Sequence, residues 1–366
     1  MKRCDRIGPI LAIMMFALFA TNLCPAGDTI KVIDTANRPV EVKLDPQRIV
    51  CLAPGTLRLV CLLKATDKLV GIEDFEKTVP MTRPYIMVNA ELTKLPIIGS
   101  GGPDSINRVP DLEALLKVRP DIIFISYMEP SNADDLQKKL SIPVVVLTHG
   151  RFASFDERIF DSLRILGKIL KKEQRAEEVI AFINQAREDL HKRSDGVSPD
   201  KKPSVYAGAI GYKAVQGIES TDTTYTPLEW VQARNSAKSV SDKGHLFIDR
   251  EKLLTLNPDV IFIDGGGLNV IRQDFRRRPE FYKSLKALQN KEAYVLFPFN
   301  YYVTNVCIAI ADSYAVGKIL YPERFSDIDI SHKADEIFTF LYGKPVYEKM
   351  VKTYGTLGQK VDLDLQ

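Results

Sequence analysis

Residues 111–126 read DLEALLKVRPDIIFIS, and residues 249–264 read DREKLLTLNPDVIFID. Aspartate, glutamate, a Leu-Leu pair, Pro-Asp and Ile-Phe-Ile return at matching positions. Such agreement indicates two related lobes, each carrying one copy of the same unit. In the first copy, Leu112, Leu115, Leu116 and Val118 give a short helix one apolar face; Leu253, Leu254 and Leu256 do so in the second. The helix must stop before Pro120 or Pro258, because the residue preceding a proline is pushed out of the α region. An unbroken apolar run follows, Ile122 to Ile125 or Val260 to Ile263. Without polar alternation, such a run suits a strand buried on both faces of a parallel sheet.

The rest of the chain extends this pattern. Residues 30–43 (IKVIDTANRPVEVK) alternate around a turn and predict a hairpin. Arg48 to Leu52, Leu69 to Ile72 and Ile142 to Leu147 read as further strands of the first lobe. Ser204 to Ala209 and Ala293 to Phe297 do the same for the second. Between the lobes, apolar residues recur at helical steps through Ile159 to Leu170 and again through Ala176 to Leu190. The second helix is expected to run roughly 18 residues, about 27 Å at 1.5 Å per residue, and to act as a stiff connection. Further helices are expected over Asn305 to Leu320 and from about His332 to Tyr342. The expected organisation is a signal peptide over 1–26, a first α/β lobe over 27–153, a helical connection over 154–202, a second lobe over 203–330, and carboxy-terminal helices and tail over 331–366. Alternating strands and helices place both lobes in the α/β layer class.

The amino end is distinct. Lys2, Arg3 and Arg6 precede the apolar run IGPILAIMMFALFA, which is shorter than the roughly 20 residues of a membrane-spanning helix and reads as a secretory signal. Cleavage is placed after Ala26, with Ala20 the competing site and Cys24 a competing lipidation site. The three cysteines beyond the signal segment, Cys51, Cys61 and Cys307, form no disulfide framework and read as buried structural thiols. A net charge of +3 over 366 residues gives no argument for nucleic acid as a partner.

In open parallel sheets, ligands bind beyond the carboxyl ends of the strands. The loops there carry Thr56, Ser100, Tyr127, His149 and Arg151 in the first lobe. The second lobe offers Tyr212, Glu219, Tyr225, Asn300, Tyr301, Tyr302 and Thr304. This tyrosine-rich set reads as a binding cleft rather than a catalytic constellation, although each tyrosine also has a structural reading. No G-x-S-x-G, C-x-x-C or H-E-x-x-H motif is present, and Gly99 to Gly102 lacks the Lys-Ser/Thr of a phosphate loop. Of the four histidines, only His149 and His245 are expected near the cleft; His191 and His332 are expected in solvent. That supply is thin for a bare transition metal, which wants three or four fixed ligands. Glu113 and Glu251 occupy equivalent first-turn positions of the repeated helix. Spacing alone leaves two readings open: favourable charge near a helix amino end, or a pair of docking charges for a partner's arginines.

The strand-turn Ile49-Val50-Cys51-Leu52-Ala53-Pro54, the loop Gly99 to Asn107 (GSGGPDSIN), the two repeated units and the single long connecting helix resemble the helical-backbone substrate-binding proteins of ABC importers. These are receptors for ferric siderophores, haem and vitamin B12. Gly217 to Thr221, Tyr301 to Asn305 and Leu320-Tyr321-Pro322 look closest to the branch that binds iron or other metal complexes. The resemblance spans essentially the whole chain after the signal. It implies two Rossmann-like α/β lobes with parallel central sheets, joined by a single long helix, that move little relative to one another. It implies no enzymatic activity and no cofactor. The expected partners are a metal chelate in the interlobe cleft and the transmembrane permease of an importer, with a monomeric, periplasmic protein. In vitamin B12 receptors of this family, a glutamate of each lobe pairs with permease arginines; by position these are Glu113 and Glu251. Cleft tyrosines and Arg151 would contact the chelate. Two alternatives stand beside this reading: a molybdate or tungstate receptor of the same fold, with Ser100, Ser105 and Thr304 around a small anion, and a two-Rossmann-lobe enzyme such as a glycosyltransferase.

Overall fold

A computed structural model describes residues 28–78, 83–151, 154–212, 214–300 and 302–363. The signal segment, Cys24 and Tyr301 therefore lie outside the described residues. Each lobe is built on a parallel sheet. In the first, β3 (Ile49–Leu52) pairs with β4 (Ile122–Ser126), and β4 with β5 (Val144–Leu147); β1 (Thr29–Ile33) and β2 (Pro39–Lys43) form the expected antiparallel hairpin. The stretch Leu69 to Ile72 joins the sheet only through parallel bridges, Ile49 to Leu69 and Ile72 to Ile97. The second sheet runs β11 (Ala293–Leu296), β10 (Val260–Asp264), β6 (Ser204–Gly208), β8 (Arg234–Asn235), all parallel. A small hairpin, β7 (Ser220–Asp222) with β9 (His245–Phe247), lies beside it. Every residue of β4 and β10 is buried, as the lack of alternation predicts.

The repeated unit folds twice in the same way. Asp111 caps helix Leu112–Val118 by accepting from the Ala114 amide at 3.0 Å, and Asp249 caps Arg250–Leu256 from the Lys252 amide at 2.7 Å. Both helices end in a left-handed residue before the proline, Arg119 at φ 41° and Asn257 at φ 37°. The proline thus drives its predecessor out of the helical region, but into the left-handed well rather than the extended one. The apolar face is narrower than the sequence suggests. Leu115 and Leu253 are buried, whereas Leu116 is 51% and Leu254 37% exposed.

The connecting helix runs Glu173–Ser194, 22 residues instead of about 18, hence about 33 Å long. It buries Ala176, Val179, Ile180, Ile183, Ala186 and Leu190 in a core that continues from one lobe into the other. Helix Val306–Leu320 fills the second lobe, and Ile330–Tyr342 reaches across to the first, where Tyr342 meets Tyr85 at a ring separation of 6.2 Å. The chain then returns to the edge of β11 through Gly358 to Val361. Cys51, Cys61 and Cys307 are free and buried. Among the described residues, no helix is long and apolar enough to cross a membrane.

Candidate ligand site at the lobe seam

From β3 the chain first moves to one side of the sheet, through Leu69 and Ile72, and later returns to place β4 on the other. The carboxyl ends of β3 and β4 therefore flank the switch point of the sheet, where a crevice forms because the two following loops diverge. A cavity of about 430 Å³ opens there, lined by Ala53, Ile125, Glu73, Gly101, Asp104, Arg108 and Asp111 among others. Ser100 is the one residue of the expected cleft set in its lining. Gly101 is required: at φ 66° it is left-handed, and a Cβ there would sit 2.8 Å from Cβ of Glu73.

Glu73 follows the bridge residue Ile72 and is buried. Its Oε1 accepts from the Ala53 amide at 3.0 Å, and its Oε2 from the Tyr302 hydroxyl at 2.8 Å. The same hydroxyl accepts from the Gly102 amide at 3.0 Å. Burial pushes the Glu73 carboxyl up to about 7, against the pull of these hydrogen bonds. Phe75 packs on Tyr302 with ring centroids 4.6 Å apart, and the Arg83 guanidinium lies over both rings at 4.7 and 5.2 Å. Arg83 also pairs with Glu76 at 3.1 Å, and Glu76 accepts from the Tyr85 hydroxyl.

Arg58 ties the seam from below. Wholly buried on helix Thr56–Leu62, it donates to the carbonyls of Tyr302, Val303 and Thr304 at 3.0, 3.0 and 2.6 Å. Tyr302 and Val303 are left-handed, at φ 55° and 68°, a costly conformation for a β-branched residue; surrounding bonds hold such strain in place. Thr304 reaches the Ser154 carbonyl at 3.3 Å, and the Phe155 amide donates to Thr226 at 2.8 Å.

The remaining expected residues scatter. Thr56 spends its hydroxyl on the Leu52 carbonyl at 2.6 Å. His149 is buried 6.5 Å from the Tyr127 ring, and burial drives its pKa down to about 3, with Arg58 adding to the effect; it is neutral. Arg151 is exposed and faces Asp156 at 3.7 Å. Tyr225 belongs to the core against Phe299, at 5.2 Å, and is 1% exposed, so its place differs from the rim position expected of a ligand contact. Tyr212 stacks on His245 at 4.2 Å, whose Nε2 lies 2.8 Å from the Ser220 hydroxyl. Glu219 is engaged by Arg250 at 2.6 Å. Asn300 donates to the Gly211 carbonyl at 3.2 Å. His191 and His332 are exposed as expected. Among the described residues, no three His, Cys, Asp or Glu side chains converge as metal-ion ligands.

Sequence reasoning missed Arg58, Glu73, Phe75, Arg83 and Arg108. The one available signal was an acid placed directly after the apolar stretch Leu69 to Ile72 at a strand end. Glu113, 81% exposed at its side chain, pairs with Lys117 at 2.9 Å; Glu251 is exposed on the equivalent turn.

The fold and the strand-end crevice define a two-lobed binding protein, and comparison with known proteins places it. Residues 49–298 match the family described as periplasmic binding protein. The chain belongs to this family, whose members here are substrate-binding proteins of ABC transporters and not enzymes. It is similar to the molybdate-binding protein MolA of Haemophilus influenzae, with 22% identity over 85% of this chain and 90% of that protein. It is also similar to the Fe(3+)-citrate-binding protein YfmC of Bacillus subtilis, with 25% identity over 72% and 77%. A periplasmic solute binding protein from Veillonella parvula shares the fold at TM-score 0.72, with 19% identity over 89% of this chain and 97% of that one.

Proposed function

We propose that this protein is the extracytoplasmic receptor of an ABC importer, capturing a metal chelate at the lobe seam and delivering it to the permease. The observation that carries the reading is the switch-point cavity of the first lobe, whose wall residue Glu73 accepts a hydrogen bond from Tyr302 of the second lobe. A chelate brings its own metal ligands, so the site needs only hydrogen bonds and ring faces; Ser100 in the cavity lining and Tyr302 beside Glu73 are its expected contacts. Relatives named for Fe(3+)-citrate binding and iron uptake support this ligand class. Glu113 and Glu251, exposed on equivalent helix turns, serve as docking charges for permease arginines. The protein works as a monomer after export by its amino-terminal signal.

A molybdate receptor draws support from the likeness to MolA. Against it, Glu73, Asp104 and Asp111 line the cavity beside the expected Ser100 and Ser105, with Arg108 the one basic side chain of the lining. Native mass spectrometry with metal analysis of the exported protein separates the two. A bound mass of several hundred daltons with iron or cobalt supports the chelate, whereas molybdenum or tungsten oxyanion replaces it.

A further inference from the structure

We propose that the cavity at the β3–β4 switch point is a subsite for a positively charged, hydrogen-bond-donating group of the ligand, with Glu73 and Asp104 as counter-charges and Tyr302 of the second lobe holding Glu73 in place. The inference rests on the receptor reading and says which part of the ligand enters the first lobe.

Charge is the first argument. Three carboxylates, those of Glu73, Asp104 and Asp111, line the cavity against one guanidinium, that of Arg108. Asp111 spends one oxygen on its helix cap. Neither the Asp104 carboxylate nor the Arg108 guanidinium has a hydrogen bond or ion pair among the described residues, and both are exposed. The nearby pair Glu76 and Arg83 is internally neutralised at 3.1 Å. An entering anion would meet net repulsion; an entering cation would meet carboxylates already gathered.

Desolvation is the second. Glu73 is buried with only neutral donors, the Ala53 amide and the Tyr302 hydroxyl, and burial lifts its carboxyl to about 7. A cation beside it would draw the carboxyl back into its charged form. Binding of a cation therefore releases a proton and strengthens as pH rises from 6 to 8.

Closure is the third. The Tyr302 hydroxyl binds both Glu73 and the Gly102 amide of the glycine loop, so a single group of the second lobe braces the wall residue Glu73 and the residue after lining Gly101. Occupancy at Glu73 is thereby felt by the second lobe. The sole tryptophan, Trp230, sits where this can be read, edge-on to Phe155 at 5.1 Å, beside the bond from the Phe155 amide to Thr226.

The test uses two matched probes: the ferric complex of desferrioxamine B, which carries a free primary ammonium, and its N-acetylated form, which lacks that charge. Trp230 fluorescence of the exported protein is titrated with each at pH 6 and pH 8. The expected result is at least tenfold tighter binding of the ammonium form, tightening toward pH 8, with the preference lost in Asp104→Asn and Glu73→Gln. Asp104 is exposed, so its variant folds as the parent does and isolates the charge. Equal affinity for the two forms overturns the proposal, as does an unchanged preference in both variants. Binding of neither also overturns it, and ferric citrate then separates the cases. If ferric citrate binds, the receptor reading stands without the cationic subsite; if it does not, the chelate reading falls as well.

Discussion

Arg58 in the first lobe donates to the Thr304 carbonyl in the second at 2.6 Å, and the same guanidinium holds the carbonyls of Tyr302 and Val303. One buried side chain thus fixes the backbone of the segment that presents Tyr302 to Glu73. Arg58→Met leaves these carbonyls without their donor. At about 1 kcal/mol per lost bond, unfolding stability should fall by about 3 kcal/mol, read as a lower urea midpoint, and ligand affinity should fall with it. An unchanged midpoint would show that the segment holds itself.

Two buried carboxyls in the second lobe make stability depend on pH. Asp264 accepts from the Gly266 amide and Asp312 from the Phe297 amide. Burial lifts Asp264 from 3.8 to about 7 and raises Asp312 well above its ordinary range. For Asp264, between pH 3.8 and 7 the folded protein keeps a proton that the unfolded chain has lost. Stability from this group therefore declines as pH rises through that window, and the loss is complete above it. Asp264→Asn should raise Tm at pH 8 relative to the parent and change it little near pH 4, with a stability difference on the order of 4 kcal/mol. A constant offset across pH would contradict this.

Gly55 has little room to change. It is left-handed at φ 84°, and a Cβ would lie 2.5 Å from Cε1 of His149. Gly55→Ala should cost about 2 kcal/mol or more, measurable by thermal denaturation. Pairing it with His149→Ala should recover the steric part while leaving the backbone strain.

Charge reversal at Glu113 and Glu251 separates capture from delivery. Both lie in solvent, with the Glu113 side chain 81% exposed, so the double Lys variant should keep its Tm and ligand affinity. Uptake into cells or proteoliposomes bearing the cognate permease should drop by about tenfold or more, the equivalent of about 1.4 kcal/mol of docking energy. Normal uptake by the double variant would remove these residues from the docking role.

The repeated unit was legible because its causes are local: a cap three residues from the amide it serves, a proline that stops the helix, and a run apolar enough to be buried on both faces. The seam was not. Tyr302 and Glu73 are 229 positions apart, and Arg58 and Val303 245; the one local mark on Glu73 is its place directly after the apolar stretch Leu69 to Ile72. Tyr225 illustrates the converse. Its tyrosine-rich, threonine-rich loop reads as a rim, yet packing against Phe299 draws it into the core. Charge and aromaticity mark a strand-end loop as interesting, while long-range packing decides which side chains face outward.

The two copies of the repeated helix are alike in backbone but unequal in charge. Glu113 is paired with Lys117, whereas the equivalent position to Lys117 is Thr255, whose hydroxyl donates to the Glu251 carbonyl. Glu251 has no ion pair among the described residues. A partner built from two identical halves would thus meet a weak acid site at one end and a bare one at the other. The two docking helices thus differ in local charge, so that their near-symmetry of backbone still leaves a preferred way round.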